Sequence, residues 1–459
     1  MPQSEETQTT NSLHECVVSG TQGIYQMTWP ALSISAAIDR IKESNMEIKA
    51  ELSISSSRIT SPGHLRSGRI NLTSTTARNS MAKALATRDS DVDWDLIMEQ
   101  ISVAVLQEWR SGNPVVELDG NMDAPALDNK WVVSGIVQKN NPTLIYAPGS
   151  HGKSWVAQVI AVLSDAGINA GGLEVEPNKV LYLDWETDVV ELSSRVTMIR
   201  RGLGLTGTGH ILYKAMTQGL AADIESIRKI CVENSPGLLI LDSLGSACGE
   251  PESAEVVLRT FSALRSLGTS SLCIDHVSKA GGSPFGSVYK FNAARQVFEI
   301  KKSQEEDDNK LVLALLHRKA NNSKLRSPMG FELVFSPEDR TMTVIRKDVR
   351  DTPLVTELAV KTQIENVLAR LGKGTAKDVM DDLNPKPDGS LFTENQIATE
   401  LSNGTKEKKK GTNSVWFVRL SDKTMGDKGR WLHYYGLPAR IEDEVVKIYQ
   451  QELEQEGEL

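Results

Sequence analysis

The sequence predicts an α/β protein, a mostly parallel sheet with helical crossovers, preceded by a small amino-terminal region and followed by a winged helix-turn-helix. Three observations predict it. Apolar strand-like runs recur at TLIYA (143–147), VLYLDW (180–185), GLLILD (237–242) and SLCIDH (271–276), separated by helical or long loop segments. That is the rhythm of parallel strands joined by crossover helices. Beyond residue 276 the pattern changes to RQVFEIKK, an acidic turn SQEEDDNK, LVLALLHRK, FELVF and TMTVIR, which read as antiparallel hairpins completing the sheet. After a linker near Asp351, Thr352 and Pro353, helical spacing at 358–371, 375–383 and 391–403 is followed by the strand-like VWFVRL and RWLHYYGL, three helices and a two-strand wing.

In chain order, residues 1–28 are rich in Ser, Thr, Gln and Glu without periodicity and are expected to form a disordered tail. An accessory region at 29–130 follows. Within it, 34–41 has an amphipathic helical pattern, 48–55 (IKAELSIS) alternates like a strand with one buried face, and 94–110 is helical. Between them, 61–88 carries Arg66, Arg69, Arg78, Lys83 and Arg88 with few acids, an excess suited either to phosphates or to a solvated surface. The α/β core is placed at 131–350, the winged helix at 354–440 and an acidic tail at 441–459. No internal repeat of about 20–50 residues occurs, which removes solenoids and propellers.

At 459 residues, with 39% hydrophobic and 24% charged, the chain is long enough for several domains and too balanced to be fibrous or wholly disordered. A formal net charge of −9, from 51 basic and 60 acidic residues, argues against a protein that coats nucleic acid through bulk charge. The acidic excess is partly an end effect: 354–440 holds 14 basic and 11 acidic residues, 441–459 holds 1 and 7. Cys16, Cys231, Cys248 and Cys273 are widely spaced without a CxxC pair, which gives neither a zinc pattern nor a disulfide framework and implies a reducing, cytoplasmic compartment. No apolar run of about eighteen residues exists and the amino terminus is polar, so neither a membrane span nor a signal peptide is expected.

The strongest motif is Ala147, Pro148, Gly149, Ser150, His151, Gly152, Lys153 and Ser154, placed where a predicted strand ends and a helix begins. It fits [AG]xxxxGK[ST], a phosphate-binding loop with Ala147 in place of the first glycine. Backbone N–H groups of such a loop curl around phosphates, and Gly149 and Gly152 permit conformations and close approach that a Cβ would block. Lys153 is suited to the β- and γ-phosphates of ATP, the Ser154 hydroxyl to Mg²⁺, and Trp155 is grouped with the loop as a nucleotide contact. The helix that follows turns its positive end to the same phosphates. Asp242 ends an apolar strand, the Walker B position for holding Mg²⁺ through water. Asp184 and Glu186 share one side of the preceding strand end; Glu186 is suited to orient or deprotonate an attacking water, with Asp184 as the competing base. At the end of the fourth strand, the His276 imidazole is able to donate to a phosphate oxygen.

The order GKS, a strand ending in WE, LILDS, a strand ending in DHVSK, then GS and HRKAN resembles the RecA-like P-loop core of RepA-type hexameric replicative helicases, over residues 131–346. Within that group it is most similar to AAA-type ATPases encoded by prophages and plasmids, in which stretches similar to GRINLTS, YLDWET, DSLGSACGEPESAE, DHVSK, PFGSV and HRKAN recur together. The resemblance implies that Lys153 and Ser154 bind nucleotide and metal, Glu186 is the catalytic carboxylate and Asp242 the Walker B residue. It also implies that His276 senses the γ-phosphate and relays its loss to DNA-contacting loops, with Lys279 a further candidate for phosphate or DNA contact. Rings of this type present a basic residue from the neighbouring subunit into the ATP site. The candidates are Arg295, Arg318 and Lys319; the family pattern of a Lys followed two positions later by an Arg is not met, and Arg318 and Lys319 are favoured because they end a strand. Loops at 247–255 and 279–290 are implied to line a central channel, the second being the better DNA contact because the first is acidic.

Lys406, Lys408, Lys409 and Lys410 lie between the expected recognition helix and the first wing strand, suited to phosphate contact. Together these features lead to the expectation of an Mg²⁺-dependent ATPase working as a homo-oligomeric ring, a hexamer, that moves along or unwinds DNA in replication of a mobile element. Single-stranded DNA is expected in the channel and duplex at the winged helix. Two alternatives share the motifs: a recombination or repair filament protein, and an ATP-switched DNA-binding initiator or regulator.

Overall fold

The computed structural model describes residues 15–21, 23–59, 63–112, 115, 117, 130–249, 253–277, 284, 288–306, 308–321, 323–386, 391–405, 417–425 and 431–438. Part of the expected disordered tail at 1–28 instead forms β1 (Val17–Thr21) and most of β2 (Ile24–Trp29), paired antiparallel across a turn at Gly23, whose φ of +83° suits glycine. Composition concealed the alternation of Tyr25, Met27 and Trp29, all buried. The expected helix at 34–41 is likewise a strand, β3 (Ile34–Ser44). Ile34, Ile38 and Ile41 fall at helical spacing, but Ile34, Ala36 and Ile38 are buried while Ser35, Ala37 and Asp39 between them are not, a period of two.

With β4 (Glu47–Ser56), where a strand was expected, and β5 (His64–Asn71), these strands form an antiparallel meander in sequence order. Helix α1 (Thr75–Ala86) starts at Ser74 and α2 (Trp94–Ser111) at Asp93, side chains that accept from Ala77 N and Leu96 N. Both helices share a core with the sheet, centred on Trp29, Ile38, Leu52, Ile97 and Ile101. Of the basic residues singled out here, Arg78 pairs with Glu99, and Arg66, Arg69, Lys83 and Arg88 are exposed.

A short hairpin, β6 (Trp131–Val133) and β7 (Val137–Gln138), leads into the central unit. Its strands and helices follow as β8 (Pro142–Ala147), α3 (Lys153–Ala166), β9 (Val180–Asp184), α4 (Val189–Gly202), β10 (Leu212–Ala215), α5 (Ile224–Asn234), β11 (Leu238–Asp242), α6 (Leu244–Cys248), α7 (Ala254–Ser266), β12 (Ser270–His276), α8 (Val288–Ala293), β13 (Gln296–Ser303), β14 (Lys310–Ala320), β15 (Met329–Ser336) and β16 (Thr341–Lys347). They build one sheet in the order β10-β9-β11-β12-β8-β13-β14-β15-β16. Pairing is parallel from β10 to β13 and antiparallel from β13 to β16, as the change of pattern after residue 276 predicts.

Apolar cores lie on both faces of this sheet, so β8, β9 and β11 are buried along their length and read as continuous apolar runs. On one face α3 is buried on nearly all sides from Val156 to Leu163, and its first turn is thereby fixed beside the strand ends. Helix α4 closes against β16 at Gly202, where a Cβ would meet the Met342 carbonyl oxygen at 2.0 Å. Gly202→Ala is therefore expected to destabilise by about 1–3 kcal/mol, because the obstacle is backbone and cannot rotate away; a thermal unfolding midpoint within experimental error of wild type would contradict this.

The stretch read as a linker is packed. Two 3-10 turns, Val349–Asp351 and Pro353–Glu357, lay Val349, Leu354 and Leu358 against Ala314 and Leu316. Beyond them come α9 (Val360–Leu371), β17 (Lys373–Gly374), α10 (Ala376–Leu383), α11 (Glu394–Gly404), β18 (Val418–Met425) and β19 (Trp431–Gly436). The three helices enclose Ile364, Val367, Leu368, Val379, Ile397, Leu401 and Phe417, and the strands form a sheet in the order β17-β19-β18. Capping boxes at Thr375 with Asp378 and at Thr393 with Gln396 start α10 and α11. Lys406, Lys408, Lys409, Lys410, Lys279 and the tail at 441–459 lie outside the described residues. Among the described residues, no helix is long and apolar enough to cross a membrane.

Candidate active site

The carboxyl ends of β8, β9, β11 and β12 meet at one edge of the sheet, because the strands are parallel and in register: Asp242 faces Asp184, Ile274 faces Asp242, and His276 faces Ala147. A loop leaves β8 at Ala147 and turns into α3 at Gly152, whose φ is +76°. A Cβ there would come within 3.0 Å of Leu311 and 3.2 Å of Leu313, so the strand β14 side chains demand glycine. Gly149 differs from expectation: its φ is not positive and a Cβ would meet open space, the left-handed residue being Ser150 at +59°. The loop is braced by the Lys302 ammonium, which donates to the Ser150 carbonyl at 3.0 Å, and by His151 Nδ1, 2.9 Å from the Gly149 carbonyl. Burial, with Lys302, Lys153 and Lys301 nearby, holds the His151 imidazole below its ordinary range. Trp155, in the first turn of α3, meets Phe335 edge-on and lies under the Arg195 guanidinium at 5.1 Å.

Lys153 is buried and its Nζ donates to the Ala147 and Pro148 carbonyls at 3.0 and 2.8 Å, folded across the mouth of the loop. Desolvation lowers its ammonium from the usual lysine range, against the pull of Glu186, Asp242 and Asp275. Asp242 is buried, and burial raises its carboxyl; hydrogen bonds donated by Tyr182 and Ser154 oppose the rise, while Glu186 and Asp184 add to it. The Tyr182 hydroxyl stands 2.8 Å from Asp242 Oδ2. Tyr182 was not anticipated, although a phenol inside an otherwise aliphatic strand facing a buried acid is the available signal.

Asp184 and Glu186 separate in role. Asp184 accepts from Glu186 N (2.9 Å), Thr187 N (3.0 Å) and Thr187 Oγ1 (2.5 Å), so its carboxylate is spent on shaping the loop after β9 and is poorly placed as a base. Glu186 projects from that loop, 35% exposed, with Oε1 3.5 Å from His276 Nε2. The site thus gathers a cation, a hydroxyl beside a buried carboxylate, and an accessible carboxylate–imidazole pair around one glycine-bearing loop. Such a set can hold a polyphosphate and direct a water at it.

Residues 113–282 match the AAA domain family. That match, the loop, the acidic strand ends and the parallel sheet make the central unit similar to P-loop ATPase domains. Solved structures similar to the chain include the KaiC-like protein PH0186 from Pyrococcus horikoshii OT3, 15% identical, covering 50% of this chain and 99% of that one with a TM-score of 0.34. Another is the flagellar accessory protein FlaH from Methanocaldococcus jannaschii, 12% identical, covering 46% and 90%, TM-score 0.33. No curated protein matches.

Of the three finger candidates, Arg295 immediately precedes β13 and Arg318 and Lys319 end β14, backbone positions level with the first half of β8. Arg318 is paired with Glu299, Nη2 to Oε2 at 2.7 Å, and bonds to Tyr146. Lys319 donates to the carbonyls of Phe291, Asn292 and Ala294 at 2.8–3.0 Å, closing the carboxyl end of α8. Both side chains that sequence favoured are engaged within their own chain, and Arg295 is exposed.

Proposed function

We propose that this ATPase hydrolyses ATP with Mg²⁺ and uses the cycle to move along or separate DNA strands, as a ring. The observation that carries hydrolysis is the Glu186–His276 contact at the mouth of a loop whose Lys153, Ser154 and Asp242 converge below it. Ser154 and Asp242 fit Mg²⁺: a hydroxyl and a carboxylate are hard oxygen donors, and the buried acid is flanked by Glu186 and Asp184, whose repulsion a divalent cation would offset. When bound, Mg²⁺ supplies charge neutralisation at the β- and γ-phosphates. Lys153 turns from its two carbonyls to the phosphates, Tyr182 holds the Asp242 carboxylate in place, and Glu186 orients the attacking water and accepts its proton. His276, between Glu186 and the loop, donates to the terminal phosphate and registers its departure.

Support for DNA work comes from the motif order shared with RepA-type helicases and from the carboxy-terminal unit, whose three capped helices and small sheet we read as a winged helix with α11 as its recognition helix. A hexamer of a mobile element's replication machinery fits the same resemblance. Forked-DNA strand displacement with ATP and Mg²⁺ tests the reading. The expected result is DNA-stimulated turnover with strand separation of one polarity, abolished in Lys153→Ala. Slow, unstimulated turnover with a sequence-specific duplex footprint would assign the protein to ATP-switched initiation instead.

A further inference from the structure

On the side of the sheet covered by α6, α7 and α8 lies a charged pair that the hydrolysis steps do not use. Lys290 Nζ, on α8, is 2.7 Å from Asp275 Oδ2, on β12, with side-chain exposures of 0% and 1%. The other oxygen, Asp275 Oδ1, is buried and has no hydrogen-bond partner among the described residues. Helix α6 closes over it, since a Cβ on Gly245 would stand 3.4 Å from that oxygen and 4.0 Å from Lys290 Nζ. A buried pair of this kind, half satisfied, is typically no more stable than well-packed apolar side chains in its place. Stability alone does not account for it.

Position does. Asp275 immediately precedes His276 and pairs in register with Tyr146, the last residue before the phosphate loop begins at Ala147. Because strand side chains alternate, Asp275 points into the core behind the sheet while His276 emerges at the reactive edge. The His276 side chain is 46% exposed, so its reach is set more by where the strand end lies than by packing around the ring. Helix α8, the other terminus of the tie, is itself fixed: Arg265 donates to the Ala293 carbonyl at 2.7 Å, and Lys319 closes the carbonyls beside it. The end of β12 is therefore fastened to an anchored post.

We propose that Asp275 and Lys290 are positioning residues, whose ion pair fastens the end of β12 to α8 and so holds His276 within reach of Glu186 and of the nucleotide's terminal phosphate. This rests on the hydrolysis reading above. Neither residue touches substrate; both act through His276.

The informative protein is the double variant Asp275→Asn/Lys290→Met, which removes both buried charges together and avoids stranding one of them. In the full-length chain it is expected to melt close to wild type and to bind a non-hydrolysable ATP analogue within about threefold of wild type, while kcat falls about 10–100-fold, the scale of a misplaced reactive group. In a His276→Ala background the same double change is expected to lower kcat less than about twofold, because residues that act through one another are not additive. Equal losses in the two backgrounds, an unchanged kcat, or a double variant that does not fold would each assign the pair a structural role and overturn the proposal. Wild-type protein that binds ATP but does not hydrolyse it would instead overturn the hydrolysis reading, and is seen before any variant is made.

Discussion

Glu186→Gln is expected to lower kcat by about 10²–10⁴-fold with ATP affinity nearly unchanged, the loss typical of removing a general base. The side chain is partly exposed, and its contact is His276, so the amide retains the shape of the site and little of the fold depends on it. Asp184→Asn supplies the contrast. Asp184 accepts three hydrogen bonds that set the loop carrying Glu186, two of them from backbone N–H groups, so its loss is expected to lower both stability and turnover. Single-turnover kinetics beside thermal melting separates the two. If Asp184→Asn abolished turnover in a fully stable protein while Glu186→Gln retained it, the assignment of the base would be reversed.

Lys153→Ala is expected to remove ATP turnover by about 10²–10³-fold or more, the scale of losing one preorganised donor to developing charge, and to weaken ATP binding as well. Its ammonium now donates to two carbonyls at the start of the loop, and it is desolvated. Removing a desolvated cation leaves no opposite charge stranded against it in direct contact, so the variant is expected to fold. Retention of full turnover by a folded Lys153→Ala protein, measured by phosphate release, would end the ATPase assignment of this loop.

Much of the central unit was legible because its signals are local. The phosphate loop is a contiguous run from Ala147 to Ser154, and Asp242 and His276 each end an apolar strand that announces itself by length and composition. The amino-terminal meander was less legible for the opposite reason: Ile34 and Ile38 satisfy a helical and a strand period at once, Ile41 fits the strand only through the register shift between Asp39 and Lys42, and only the pairing of β3 with β2 and β4 selects between them. In residues 17–29 the alternation of Tyr25, Met27 and Trp29 is short and follows a long polar stretch, and it is the core they share with α2, through Trp29 and Ile97, that holds them as strands.

The sequence alone determined a phosphate-loop motif at a strand-to-helix turn and acids at the ends of parallel strands, because those features are written in neighbouring residues. Which acid is free and which is structural, that Tyr182 steadies Asp242, and that Asp275 and Lys290 meet behind His276 were decided only by tertiary structure. Partners 60 and 15 residues apart in sequence have no spacing rule to mark them. They are joined by the register of buried strands, and in a low-dielectric interior that register fixes which charges must find each other.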